Sequence, residues 1–430
     1  MQTSQAAGSC ATGDVIHSRT GHDRTIGRAL WLTALCLFIN FFVQWRQPHV
    51  AQFSSEATRV AEALTQGRGF SDPYLTGPSG PTAQMAPLYP FLYAGICLVF
   101  GTGPTGWFAV TAFTSLVWST QWIFVYKIAA FYRYARAGLS AAVLGCLLPI
   151  PGRLFKWEAL LTGALLAWCA WLLIRILAGD TRKRTLIELG IASAAAVLSS
   201  PAAILIWPAW VLILGFRIGW SQTLRVCLWV AAIAIIPIAA WTVRNYTVFH
   251  HVFFIRDDAG MAWVSSNNDC ATPLVSKNIA SGCFGREHPS GSLALLHKMI
   301  AEGEYNYSSA EMRRNLQWID THPGRFAVLS LQRAAYFWFP VDSGDRASFW
   351  YGIYFSVLTV VSLTSLYLIR CGGFQVVGSA LLAYSATYYT VQFEQRYRYP
   401  VLWITILLAC VGVSHLLTLM ANRRVRRANV

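Results

Sequence analysis

Glu56 lies in the stretch QFSSEATRVAEALTQGRGF, residues 52–70, between two apolar runs. On a helix of about 100° per residue, Phe53, Ala57, Val60, Ala61 and Leu64 share one stripe, while Arg59 and Glu62 fall opposite. Glu56 sits on the shoulder of that stripe. A carboxylate half-withdrawn from water gains proton affinity and can take a proton from a hydroxyl, so Glu56 is a candidate general base. The competing reading is a plain solvated loop glutamate.

Other reactive groups gather at the ends of apolar runs. In FEQRYRYP, residues 393–400, Arg396 and Arg398 stand just ahead of the proline that opens the last run. An arginine fork matches phosphate oxygens, and a helix N-terminus adds partial positive charge. Glu394 and Tyr397 share the segment as further site candidates, with interfacial anchoring by Tyr397 and Tyr399 as the alternative. Arg244 and Asn245 close another run in AWTVRNYTVF, residues 240–249. Glu158 opens a run in FKWEALL, where a carboxylate is also an ordinary helix cap. Asp257 and Asp258 are adjacent acids that would suit a divalent cation or serve as loop charge. Metal dependence stays open, and no cofactor is implied with certainty. Cys270 and Cys283, thirteen residues apart, would close a disulfide in an oxidising compartment. Asn245-Tyr-Thr247 and Asn306-Tyr-Ser308 match the short glycosylation pattern. Neither a Walker loop, a zinc-protease motif nor a serine elbow occurs at a credible position.

The elements that must position these groups are apolar. Of 430 residues, 55% are hydrophobic and 12% charged, with a mean hydropathy of +0.44. A soluble domain carries about 25% charge. Several uncharged runs reach the roughly 20 residues that cross a bilayer, so the chain reads as an all-α integral membrane protein. Candidate spans are 29–45, 105–130, 138–152, 159–178, 185–199, 201–216, 222–241, 349–370, 373–391 and 399–420. The net charge of +15 is dispersed in short basic clusters, the pattern of positive-inside bias and lipid headgroup contact rather than of nucleic-acid binding. With ten spans and a cytoplasmic N-terminus, YRYARAG, GDTRKR, FRIGWSQTLR, RCGG and the tail NRRVRRANV all fall inside. Counting the short run 87–101 as a crossing reverses two of these clusters, so it reads as a juxtamembrane helix. Residues 1–28 read as a disordered cytoplasmic tail, 29–420 as the membrane domain, and 421–430 as a basic cytoplasmic tail. Two outer loops result, about 46–104 and 242–348, and most acidic residues collect in them.

Ionisable groups at one membrane edge rather than mid-span suit a surface enzyme better than a carrier. Eight ordered segments then resemble the polytopic GT-C glycosyltransferases, in particular bacterial members of family 39, the dolichyl-phosphate-mannose protein mannosyltransferase-like proteins. They are ExxRVAEALxxGRGFSDPY from Glu56, TGPSGPTAQMAPLYPFLYA (76–94), WE (157–158), SSPAAIL (199–205), WTVRNYTVF (241–249), WVSSNN (263–268), THPGRFAVLSLQRAAYFW (321–338) and RYRYP (396–400). The resemblance implies a catalytic carboxylate in the first outer loop and a sugar donor on a polyprenyl phosphate, with inversion at the anomeric centre. Glu56 would be the base, Glu158 an outer acidic position, and Arg244, Arg396 and Arg398 the donor-phosphate ligands. The expected partners are that donor, membrane lipids and an acceptor the sequence does not name. The expected location is a bacterial inner membrane with the site extracytoplasmic. Two rivals remain: a transporter or flippase of lipid-linked intermediates, and a non-catalytic subunit of the same fold.

Overall fold

A computed structural model describes residues 19–45, 48–148, 158–341, 346–369 and 372–428. Eighteen α-helices account for the described architecture, with two isolated β-bridges and no strand among these residues. Seven helices or helical stretches are long and apolar enough to cross a membrane: 27–44, 104–131, 159–177, 201–218, 220–249, 349–368 and 395–422. The remaining expected spans form shorter helices: Ala135–Leu147, Lys183–Ser199 and Gly372–Ala386. The end of expected span 138–152 lies outside the described residues. Leu88–Phe100 has 13 residues, about 20 Å of helix, too short to span, as the charge pattern anticipated.

The first helix, α1 (Arg19–Gln44), starts ten residues before the expected span. Residues 19–28 therefore belong to a helix, which corrects the reading of 1–28 as a wholly disordered tail; residues 1–18 lie outside the described part. The central pillar is the helix Ala159–Leu177, almost wholly buried along its length. It packs against Pro104–Phe131 and Tyr399–Ala428. Gly163 permits this approach: a Cβ there would run into the Gln121 amide and the Pro400 carbonyl. Trp118, Trp122, Trp210 and Trp403 fill the core between these pillars. The helix Trp220–Phe249 lies at the periphery, with Leu224, Leu228, Ile235 and Ile236 facing outward as on a lipid-contacting surface.

The two long loops meet at one end of the bundle. The first carries α2 (Glu56–Thr65), whose N-cap Ser55 and Thr58 form a reciprocal capping box. Ala57, Val60 and Ala61 are fully buried, so the expected stripe is the packing face. A tight hairpin follows, in which Asp72, with a left-handed φ of 58°, accepts the Ser79 and Gly80 amides at 2.9 and 2.8 Å. The second loop folds as a layer of short helices over a small core of Tyr74, Met261, Leu296, Met299 and Tyr307. Gly260 brings the helix Ala259–Ser266 against Glu304–Thr321; a Cβ there would collide with the Ser308 carbonyl. Within this layer Cys270 and Cys283 are joined by a disulfide.

Candidate active site

Glu56 is the first residue of α2 and is half-buried. One carboxylate oxygen accepts the Ser290 hydroxyl at 2.7 Å. Ser290 is itself placed by His288, whose Nδ1 accepts the Ser290 amide at 3.1 Å. That bond puts the imidazole proton on Nε2. Burial lowers the His288 pKa against the opposing pull of Glu56, so the ring is neutral and fixed. Sequence reasoning passed over Ser290 because EHPSG carries no helical or strand periodicity.

Arg256 is the second component that sequence reasoning missed. Trp241 Nε1 donates to the Ile255 carbonyl at 3.0 Å, and Asn245 Nδ2 donates to the Phe254 carbonyl at 3.1 Å. Together they pin the segment 254–255, and with it the backbone leading into Arg256, to the end of its helix. Arg256 pairs with Asp258. Burial opposes the Arg256 charge, but Asp258, Glu158 and Glu56 outweigh it and raise its pKa. Burial also raises the Asp258 carboxyl; Arg256 works in the opposite direction, while Glu56 and Glu158 reinforce the rise. The signal was available: an arginine in FIRDDAG stands on the same loop side as Arg396, against the positive-inside trend.

Glu158 and the 393–398 turn complete the neighbourhood. Glu158 precedes the central pillar, and its Oε2 is buried with no hydrogen-bond partner among the described residues. Arg396 pairs with Glu394 at 2.7 Å and covers the ring of Tyr397. Tyr397 stacks on Tyr388 at 4.5 Å and 16°. Glu158 and Glu56 both act electrostatically on Arg396 as well as on Arg256, so two carboxylates and two guanidinium groups share one electrostatic neighbourhood. The turn is held from the second loop: Phe393 exchanges bonds with Pro273 and Val275 at 2.7 and 3.1 Å, and Asn278 donates to Gln392 at 2.7 Å. Arg333, fully buried, ties Asn267 and the Ser266 and Thr390 carbonyls together from the other side.

Two expected site residues, Arg398 and Asn245, serve the scaffold instead, and Arg244 is partly committed to it. Arg398 is 1% exposed; its guanidinium donates to the Phe337, Trp338 and Phe355 carbonyls and to the Thr359 hydroxyl. No fork remains for a phosphate. Arg244 donates to the Thr82 carbonyl at 2.8 Å and the Phe70 carbonyl at 3.1 Å, and stacks over Phe70, Trp241 and Phe249. Asn245 is fully buried and spent on Phe254 and Arg244, so its glycosylation pattern is closed; Asn306 is exposed. The expectation that Arg398 binds donor phosphate is corrected by these bonds, because its buried guanidinium is committed to four acceptors. Arg244 is half-buried and uses three of its five N–H donors, so its bonds do not close it to a ligand.

Asp257 and Asp258 diverge rather than converge on a cation. Asp258 faces Arg256, while Asp257 faces Glu304. Glu304 is buried, accepting the Ala83 amide at 2.5 Å, the Thr82 hydroxyl at 2.7 Å and the Tyr74 hydroxyl at 3.3 Å. Burial, then Glu304, push the Asp257 carboxyl up to about 8, so the pair holds a proton at neutral pH. Among the described residues no three His, Cys, Asp or Glu side chains come together as metal ligands. The orphaned Glu158 oxygen alone does not make an ion site, and no chemical step below runs through a metal.

Neither a family model nor a curated protein matches the sequence. Among solved structures the chain is similar to the archaeal oligosaccharyltransferase AglB from Archaeoglobus fulgidus, in complex with an inhibitory peptide and a dolichol-phosphate. Identity is 12% and the TM-score 0.55, across 96% of this chain and 52% of that one. ArnT from Cupriavidus metallidurans in the apo state aligns over 90% of this chain and 78% of its own, at 12% identity and a TM-score of 0.37, which is too low to carry an argument. The chain spans about half the length of AglB, and at this identity the likeness concerns the fold. That fold is an all-helical membrane architecture like that of AglB, in keeping with the fold class expected from the ordered motifs.

Proposed function

We propose that this protein is a membrane glycosyltransferase that moves one sugar from a polyprenyl-phosphate carrier to a hydroxyl acceptor at the extracytoplasmic membrane surface. The observation that carries the reading is the shared electrostatic neighbourhood of Glu56, Glu158, Arg256 and Arg396, which the first loop, the head of the central pillar, the second loop and the 393–398 turn supply. The reaction needs a base for the acceptor, cations for charge developing on the departing phosphate, and alignment of the two. It needs no general acid, because a phosphate leaves as an anion.

Glu56 is the base. Its Ser290 bond occupies one oxygen and fixes the rotamer, leaving the other to receive a proton. As the acceptor O–H proton passes to Glu56, the acceptor oxygen bonds to the anomeric carbon. The bond from that carbon to the phosphate oxygen breaks, and its electron pair leaves with the polyprenyl phosphate. A single displacement inverts the anomeric centre. Arg256 and Arg396, each about one-fifth exposed, keep an accessible edge for the phosphate while Asp258 and Glu394 hold their orientation. The carrier class is taken by analogy with the dolichol-phosphate in the AglB complex.

The test is transfer from a radiolabelled polyprenyl-phosphate sugar pool in membranes, wild type against Glu56→Gln at matched expression. General-base removal costs about 10²–10⁴-fold, so the variant is expected to lose at least about a hundredfold. Equal transfer by both proteins would remove Glu56 from the chemistry.

A further inference from the structure

Away from that neighbourhood, the second loop encloses a pocket of about 290 Å³, near the lower bound of about 300 Å³ for small-molecule sites. Asn315, Trp318, Asp269, Arg286, Glu287 and Arg314 line it beside the Cys270–Cys283 disulfide. Asn315 is fully buried, and its Nδ2 donates to the Asn267 carbonyl at 2.7 Å. A carbonyl accepts only from the NH₂ side, so the amide orientation is fixed. Its Oδ1 is buried with no partner, and a buried acceptor left bare costs about 1–3 kcal/mol unless something donates to it. Trp318 is locked by an indole bond to Asp269 at 2.8 Å, with His322 stacked on it at 16°. Arg314 is spent on Glu287 and Glu311, both at 2.6 Å. The lining charges balance, two arginines against Asp269 and Glu287, which favours a neutral ligand.

We infer that this pocket binds one neutral saccharide ring, with a sugar hydroxyl donating to Asn315 Oδ1, Arg286 donating to ring oxygens, and Trp318 as an apolar wall. A rigid indole beside fixed polar groups matches the alternating apolar face and hydroxyl rim of a pyranose. The pocket is also wired to Glu56. Arg286 and Glu287 lie on its wall, and Ser290, three residues beyond Glu287, donates to Glu56. Three residues span at most about 11 Å of backbone, so the pocket wall and the Ser290 contact to Glu56 belong to one short segment. The pocket's role as the acceptor subsite rests on the transferase reading; its sugar binding does not.

The experiment is saturation-transfer NMR on the full chain in nanodiscs with methyl α-D-mannoside, methyl β-D-glucoside and methyl β-D-galactoside. At least one glycoside is expected to receive saturation. Its affinity should fall about fivefold, the equivalent of one hydrogen bond, in both Asn315→Leu and Arg286→Ala, and hold in Glu56→Gln. Arg286 is exposed and unpaired among the described residues, so its alanine variant tests the pocket even if Asn315→Leu misfolds. Absence of saturation, or saturation indifferent to Arg286→Ala, would show a pocket filled by water only and overturn the inference. Glycoside binding retained where transfer is never detected would separate this pocket from a failure of the transferase reading. In the transfer assay Arg286→Ala should raise the acceptor KM about fivefold and leave the donor KM unchanged, the kinetic signature of one lost acceptor contact.

Discussion

Arg396 and Arg398 are two residues apart in the sequence and differ completely in what they hold, so replacing each by methionine should damage different properties. Arg398 makes four donor contacts, to three carbonyls and one hydroxyl. Without it the single Thr359 hydroxyl proton can go to the Trp338 or the Phe355 carbonyl, at 2.9 and 2.8 Å. The Phe337 carbonyl, in the last turn of the helix Pro323–Trp338, is left bare. Stranding that acceptor costs about 1–3 kcal/mol, and the loss of charge-assisted bonds adds about 1.5–3 kcal/mol. Relief of burying an unpaired guanidinium returns part of this, so Arg398→Met should destabilise by about 2–4 kcal/mol. Arg396, with an 18% exposed side chain, pairs with the 36% exposed Glu394, a partner that water can reach, so Arg396→Met should destabilise less than Arg398→Met. On the proposed mechanism its loss removes a cation from the departing phosphate, and an oxyanion donor of this kind is worth about 10²–10³ in rate. The assay pairs SDS-titrated unfolding in mixed micelles with transfer per folded molecule. Arg398→Met that unfolds like wild type yet raises the donor KM tenfold or more would refute the structural assignment and return Arg398 to the donor site.

The buried Asp257–Glu304 pair makes stability depend on pH. The Asp257 carboxyl, at 3.8 when free and about 8 in the folded protein, binds a proton in the native state that the unfolded chain has released. Stability is therefore fullest below the free value and falls as pH rises towards 8. Thermal unfolding from pH 5 to 8 should show that decline, and Asp257→Asn should flatten it; an unchanged slope in the variant would dismiss the pair as its source. The Cys270–Cys283 bridge closes a loop of thirteen residues' separation, worth about 3 kcal/mol by chain entropy. Cys270→Ser with Cys283→Ser should lower the unfolding midpoint of the second loop accordingly, measured by limited proteolysis of residues 259–338 against reductant-treated wild type. Equal protease resistance would contradict that contribution.

The membrane class was legible because apolar length and basic clusters are properties of the chain alone. So was the packing face of α2, since Ala57, Val60 and Ala61 repeat at helical spacing. The side-chain partners were not. Arg398 and Arg396 look alike in RYRYP, and only the carbonyls brought in by Phe337, Trp338 and Phe355 tell them apart. Arg244 similarly met the first-loop carbonyls from more than 160 residues away. Ser290 and Arg256 escaped notice because their importance comes from a fold that places them beside Glu56, and an irregular loop leaves no periodic trace of that. Asp257 and Asp258 suggested a shared cation by adjacency, whereas the backbone turns them towards Glu304 and Arg256.

The contacts of Arg244 and Glu304 also set an order of assembly. The first loop is emitted from the ribosome early, and beyond its own Asp72 bonds its hairpin is tied to the rest of the fold by Arg244, on the Phe70 and Thr82 carbonyls, and Glu304, on the Ala83 amide. Neither exists until most of the chain has been made. Glu56 also receives its Ser290 bond only then. A nascent chain therefore carries its proposed base on an unanchored loop throughout insertion, and the reactive geometry comes into being only once the helix Trp220–Phe249 and the layer behind it have arrived. A chain truncated before residue 304 lacks the Glu304 contacts to the Ala83 amide and the Thr82 hydroxyl, so on the proposed reading it would be inactive.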